Sequence, residues 1–311
     1  MKAPRMPKDN GATQRPSMPT FAEILVDLDS DDYEPVELTE LPPFAVTAEV
    51  KRTPRTQPIP DLSDFVKLWQ LIGEGNTGKT FLARYLIEKI IDAGKAGATV
   101  VAALAPGNRS LTAFAPGTMQ PPSADPVATA EWAGKRLSAM QKGRYNGVWD
   151  FGGGDQSQRI MIEAQPDMAE RAEQEGMAIV AAYTLGPRVD DLIFLKTGER
   201  IGFRPRATAL ILNLGLVDSP AAFNDVRRQP EYKAALDRGA VELWLPALPE
   251  KIALEIERAR ALFRQARDGE APEGKRAAVL SLTERDKVRV WLGVIDAELH
   301  AIEKAGWMPW T

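Results

Sequence analysis

Lys67-Leu-Trp-Gln-Leu-Ile-Gly-Glu-Gly-Asn-Thr-Gly-Lys-Thr80 is the stretch that decides the fold. Its first six residues, Lys67 to Ile72, form a short, mostly apolar run that reads as a buried strand. Gly73 to Thr80 is a glycine-rich turn that satisfies the pattern G-x-x-x-x-G-K-[ST]. Phe81 to Ala93 then carries Leu82, Leu86, Ile90 and Ile91 at helical spacing. Strand, turn and helix in this order make a phosphate-binding loop. Glycines let the backbone curl so that N–H groups converge on anion oxygens, and the helix presents its positive N-terminus to the same charge. In such a loop Lys79 reaches the outer phosphates and Thr80 places a hydroxyl on Mg²⁺. Gly73, Glu74, Gly75, Asn76, Thr77, Gly78 and Phe81 complete the nucleotide contact.

Outward from the loop, strands alternate with helices. Strands are expected at 98–104, 147–151, 177–184, 207–214 and 241–245. Helices are expected at 128–141, 167–174, 189–197, 220–238 and 249–267, with a loop rich in Pro, Gly and Ser over 106–125. Thr283 followed by Asp286 suggests the start of a last helix reaching Lys304. The alternation predicts an α/β fold: a mostly parallel sheet of about seven strands with helices on both faces. Three parts are expected. Residues 1–64 form a Pro-rich acidic arm, largely irregular. Residues 65–270 form the nucleotide-binding domain, and residues 271–311 a C-terminal helical extension.

The arm differs from the rest in composition. Residues 1–60 hold ten of the 24 prolines, and 23–49 carry nine acids with no Lys or Arg. Proline density and like-charge repulsion both oppose compaction. Phe21, Ile24, Leu25, Val26 and Leu28 nevertheless offer apolar anchors, so residues 1–60 are a candidate segment for a partner protein as well as a plain solvated tail.

Composition narrows the chemistry. The 311 residues contain no cysteine and one histidine, His300. Disulfides, thiolate metal sites, cysteine nucleophiles and His-based triads are therefore excluded. A net charge of -4 gives the whole molecule no strong pull toward nucleic acid, while leaving room for a local basic patch. No apolar run approaches the about 20 residues that cross a bilayer, and the first residues do not make a secretory signal, so a cytoplasmic location is expected.

Two further constellations bear on function. Val148-Trp149 leads into Asp150 at a strand end, where a carboxylate holds Mg²⁺ directly or through water. Gly152, Gly153 and Gly154 then allow close backbone approach to a terminal phosphate. Arg260, Arg264 and Arg267 fall at i, i+4 and i+7 of the expected 249–267 helix. They form either a DNA-binding patch or a solvated face neutralised by neighbouring acids. Trp291, Leu292, Ile295, Leu299 and Ile302 read as a buried stripe.

Over roughly residues 66–268 the chain resembles the ParA/MinD family of P-loop ATPases. The phosphate loop Gly73–Thr80 carries the resemblance most specifically. Ala103-Leu-Ala-Pro-Gly-Asn-Arg-Ser-Leu111 resembles the family's first switch and Trp149-Asp-Phe-Gly-Gly-Gly-Asp155 its second. Leu210-Ile-Leu-Asn213 resembles the strand ending in an adenine-reading Asn, and Pro246-Ala-Leu-Pro249 a loop packed on the base. The resemblance implies an ATP- and Mg²⁺-dependent switch, a nucleotide-dependent homodimer, non-specific DNA binding and a role in plasmid partition, mobilisation or cargo positioning. Asp155 or Gln156 would orient the attacking water, by analogy with a glutamine in other GTPases. No Asn-Lys-x-Asp follows a strand, which favours ATP over GTP. Two departures stand out. Glu74 replaces the lysine that in the family reaches the partner's phosphates, and Ala103 and Ala105 replace acids of the first switch. They leave open a weak ATPase and a non-hydrolysing nucleotide-binding adaptor. A small-molecule kinase or ligase on the same fold is a third reading.

Overall fold

In the computed structural model the residues described are 50, 52–55, 57–105, 109–154, 156–272 and 278–311. They fall within one compact unit, Phe44–Thr311. The arm up to Glu49, residues 106–108 and Asp155 lie outside the described residues.

Among the described residues the sheet has six strands: β1 (Val66–Ile72), β2 (Thr99–Ala103), β3 (Asn146–Asp150), β4 (Met177–Leu185), β5 (Ala207–Asn213) and β6 (Val241–Leu245). Their order is β2-β3-β1-β4-β5-β6 and every pairing is parallel. Every residue of β1, β4 and β6 is buried, as a parallel sheet covered on both faces requires. The expected α/β class is the observed one, with six strands in place of about seven.

Eleven α-helices accompany the strands among the described residues. They are α1 (Lys79–Asp92), α2 (Arg109–Phe114), α3 (Pro126–Gly143), α4 (Ser157–Ala164), α5 (Met168–Gln174), α6 (Ile193–Ile201), α7 (Asn224–Arg228), α8 (Pro230–Asp237), α9 (Glu250–Ala259), α10 (Phe263–Asp268) and α11 (Leu282–Lys304). One face of the sheet buries Leu82, Leu86 and Ile90 of α1 together with Ile256, Phe263, Trp291 and Ile295. The other buries Leu137, Met140, Ile162, Phe194, Val226 and Tyr232.

Four sequence expectations change. The 249–267 helix is two helices, because Arg260 adopts a left-handed conformation (φ 53) and Glu88 accepts hydrogen bonds from the Phe263 and Arg264 N–H groups at the start of α10. The 220–238 helix divides at Gln229-Pro230, since a residue before proline is driven out of helical geometry. The 106–125 loop contains α2, and α4 occupies residues left unassigned. The last helix starts two residues earlier than expected, where Glu284 Oε2 accepts from both the backbone N–H and the hydroxyl of Ser281 (3.0 and 2.7 Å).

The C-terminal helix is part of the main core. Val288, Trp291, Ile295, Leu299 and Ile302 all join the cluster that holds α1 and the sheet. Beyond it Trp307 is fully buried and donates from Nε1 to Pro60 O (2.7 Å). Trp69 Nε1 donates to Trp307 O (2.7 Å), and Asn146 Nδ2 to Pro309 O (2.8 Å). His300 is exposed.

Candidate nucleotide site

The C-terminal ends of β1, β3, β4, β5 and β6 converge around the turn Gly73–Thr80, the usual ligand side of an open parallel sheet. The turn holds its shape through short contacts to those ends. Thr77 Oγ1 donates to Glu74 O (2.9 Å) and meets Thr184 Oγ1 of β4 at 2.8 Å. Asn213 Nδ2, at the end of β5, donates to Thr77 O (2.9 Å), while its Oδ1 accepts from Gly215 N (2.9 Å). Gly78 sits under this amide with φ +100, and a Cβ there would lie 2.5 Å from Asn213 Nδ2. Only glycine meets both demands.

Lys79 opens α1 and is 6% exposed. Its Nζ donates to Gly73 O (2.8 Å) and Glu74 O (2.6 Å). The ammonium is thus held inside the turn by carbonyls of the turn itself. Helix geometry leaves the N–H groups of Lys79, Thr80 and Phe81 without intrahelical acceptors, at the positive end of the helix. Phe81's side chain, by contrast, belongs to the core: its ring lies 5.0 Å from Phe263 and 5.1 Å from Trp291.

Thr80 Oγ1 donates to Asp150 Oδ2 (2.8 Å) across the gap between α1 and β3. Asp150 is 1% exposed, and its other carboxylate oxygen, Oδ1, is buried with no hydrogen-bond partner. Burial pushes its carboxyl up to about 6, against the opposing pull of the Thr80 hydroxyl and the Lys79 charge. An uncompensated carboxylate oxygen costs free energy unless a cation or proton answers it. Lone pairs from Asp150 and Thr80 beside converging N–H groups and an ammonium form the donor set that a Mg²⁺–phosphate unit needs.

The glycine run after β3 rests directly on this turn. A Cβ on Gly153 would lie 2.4 Å from Gly75 Cα, so the two backbones meet only because Gly153 carries no side chain. Asp155 lies outside the described residues. Gln156 is exposed; its Nε2 donates to Gly154 O (3.2 Å) and its Oε1 accepts from Arg159 (3.4 Å). Ala103 is fully buried at the end of β2, and Leu104 N donates to Asp150 O (2.8 Å).

Glu74 points to a neighbourhood that sequence reading missed. It lines a pocket of about 370 Å³ with Arg188, Val189, Asp190, Ile193 and Lys196. Arg188 follows β4 and pairs with Asp191 (2.9 Å), which holds the guanidinium above its ordinary value; Glu74 adds a smaller pull in the same direction. Nothing in the local sequence marks Arg188 or Thr184 as neighbours of the turn, because Thr184 lies 107 residues beyond the Thr77 it touches. A larger cavity, about 1020 Å³, lies between α3, α4 and α5, away from the phosphate turn.

Beside Asn213, Pro246 is buried and follows β6, and a Cβ on Gly215 would lie 4.0 Å from Ala247 Cα. Asn213, Gly215 and Pro246-Ala247 therefore form one rim. The arginine trio does not form a helical face. Arg260 caps α9, Arg264 pairs with Asp92 (3.2 Å), and Arg267 is chelated by Asp268 (2.6 and 2.7 Å). The break at Arg260 removes the spacing on which a continuous patch depended.

No protein-family model matches the chain, and no curated protein matches it. Among solved structures it is similar to MinD in the MinC:MinD cell division complex of Aquifex aeolicus (12% identity, 73% of this chain and 96% of that chain, TM-score 0.40). It is also similar to FtsY from Mycoplasma mycoides (11% identity, 76% and 71%, TM-score 0.37) and to the cell division protein FtsY of Thermotoga maritima (14% identity, 80% and 73%, TM-score 0.35). The P-loop NTPase fold itself rests on this chain's own strand order and on the turn between β1 and α1.

Proposed function

We propose that the chain is a nucleotide-dependent switch protein that takes Mg·ATP at the Gly73–Thr80 turn. The observation that carries this reading is the constellation of Lys79, Thr80 and Asp150, with a buried carboxylate oxygen left without a partner beside an ammonium and a helix N-terminus. Lys79 and the turn's N–H groups would hold the phosphates, Thr80 and Asp150 the metal, and Asn213 with Pro246 the base. Bound Mg²⁺ supplies charge neutralisation at the β- and γ-phosphates. Among the described residues no cluster of three His, Cys, Asp or Glu side chains can hold a metal alone. Asp150 and Thr80 would supply only part of a Mg²⁺ shell, and phosphate oxygens would add to it, which couples metal to nucleotide binding.

The switch follows from the contact between Gly153 and Gly75. A terminal phosphate bordering the turn must meet the second switch, and α4 follows that switch within three residues. Occupancy of the turn is thereby felt at the surface of α4, as in order–disorder switches driven by a γ-phosphate. By resemblance to ParA/MinD proteins, the output is self-association and positioning or partition of a cargo such as plasmid DNA, in the cytoplasm. No described helix is long and apolar enough to cross a membrane.

A second reading, a nucleotide-binding adaptor with little turnover, is favoured by a specific observation. Ala103 leaves the first-switch strand end without a carboxylate, and Gln156 is engaged by its own segment. Single-turnover ATP hydrolysis and sedimentation with ATP, ADP and no nucleotide, each with and without duplex DNA, test the two together. The switch reading expects ATP-specific association. Turnover that Lys79→Ala abolishes selects the ATPase, and ATP-specific association without turnover selects the adaptor. Identical sedimentation in all nucleotide states refutes a switch.

A further inference from the structure

α11 touches the base-side rim at two points of one helical face. Trp291 Nε1 donates to Pro246 O (2.9 Å), and both groups are buried. Glu298, two turns later, accepts from the Trp244 N–H (2.9 Å), a donor on the outer edge of β6 that no neighbouring strand takes up among the described residues. Positions 291 and 298 share a helix face with Val288, Ile295 and Ile302, all buried in the core. The two anchors therefore sit on a rigid rod rather than on a loop. They bracket the last strand residues and the proline that begins the 246–249 loop.

The rim opposite is fixed differently. Asn213 is locked by Thr77 O and Gly215 N, so β5 supplies its side of the rim through the phosphate turn itself. Pro246 has no N–H to donate, and its carbonyl is held by the indole. The position of the base-side loop is thus set by the C-terminal helix, and the phosphate-side geometry by β1, β3, β4 and β5.

From this division we infer that Trp291 is a positioning residue for base recognition: its indole N–H fixes the Pro246 carbonyl, and with it the wall against which a purine rests. The inference rests on the nucleotide reading above and adds to it a residue outside the phosphate turn. Removing the indole donor frees the loop without touching Lys79, Thr80 or Asp150. The consequence is selective: a ligand that carries a base loses affinity, and one that carries only phosphates does not.

The test compares Mg·ATP with inorganic tripolyphosphate and Mg²⁺, by equilibrium titration on the full chain, for wild type and Trp291→Phe. Phenylalanine keeps an aromatic ring beside Phe81 and Phe263 while deleting the donor. Loss of about tenfold in ATP affinity is expected, the scale of ordering a freed loop segment on binding, with tripolyphosphate affinity unchanged. Glu298→Ala removes the second anchor, a largely buried carboxylate that also pairs with Arg52; it is expected to show the same selectivity with a smaller loss, and it carries the test if Trp291→Phe does not fold. Equal weakening of both ligands, or of neither, in the folded variants overturns the inference alone. A wild-type protein that binds neither ligand overturns the nucleotide reading and this inference with it.

Discussion

Replacing Asp150 by asparagine should stabilise the nucleotide-free protein at neutral pH. Asp150 is 1% exposed, lacks a partner for Oδ1, and has its carboxyl pushed up to about 6 from an ordinary 3.8, chiefly by burial. A folded-state value raised above the unfolded one means that the native chain holds the proton more tightly. The stability linked to that proton is fully present below about pH 4 and is lost as pH rises through about 6. The gap corresponds to about 3 kcal/mol by pH 7 to 8. Asparagine carries no charge and still offers an oxygen to the Thr80 hydroxyl, although its amide N–H groups need acceptors of their own. A net gain of about 1–3 kcal/mol is therefore expected at pH 7, shrinking toward zero near pH 4. For a domain of this size that is a rise in Tm of very roughly 2–10 °C. The assay is thermal or urea unfolding of both proteins across pH 4–8 without nucleotide. Taking the difference between the proteins cancels other buried acids such as Glu88, which burial also raises. The same substitution should remove the extra stabilisation that Mg²⁺ adds to ATP. An Asp150→Asn protein less stable than wild type throughout pH 5–8 would refute the argument.

Two further substitutions probe the scaffold. Gly78→Ala forces a φ of +100 on a residue with a Cβ and drives that Cβ to 2.5 Å from Asn213 Nδ2. It should cost about 2–4 kcal/mol in urea unfolding and abolish nucleotide uptake, and a wild-type-like midpoint would show that the turn relaxes freely. Glu88→Ala leaves the N–H groups of Phe263 and Arg264 without their acceptor at a buried helix start. About 1–3 kcal/mol of stability should be lost, with exchange of those two amides accelerated; unchanged exchange would mean that another group caps α10.

The strand, glycine-rich turn and helix were legible because their signals are local. A strand, glycines at fixed offsets, a lysine and a following helix occupy consecutive residues, and the parallel strands announce themselves as apolar runs. Asp150 was legible as an acid at a strand end, but its missing partner was not, since that depends on what packs around it. The division at Arg260 was hidden for a similar reason. Glu-Arg-Ala-Arg-Ala contains no helix breaker, and the new helix starts where Glu88, over 170 residues away, meets its first N–H groups. Ser281 with Glu284 was readable as a capping box, and Thr283 with Asp286 was the weaker of two overlapping signals. Arg188 and Thr184 were invisible because β4 reaches the turn only through the sheet order. Trp291 read as core, which it is, while its indole's hold on Pro246 depends on where α11 crosses β6.

Titration of Mg·ATP into the wild-type chain and into Lys79→Ala tests the central claim most directly. The ammonium that now binds the carbonyls of Gly73 and Glu74 is the group that must turn to the phosphates. Saturable one-site uptake by the wild type, weakened at least about tenfold in Lys79→Ala, is the predicted result. No uptake by the wild type, or the same affinity in both proteins, would contradict it.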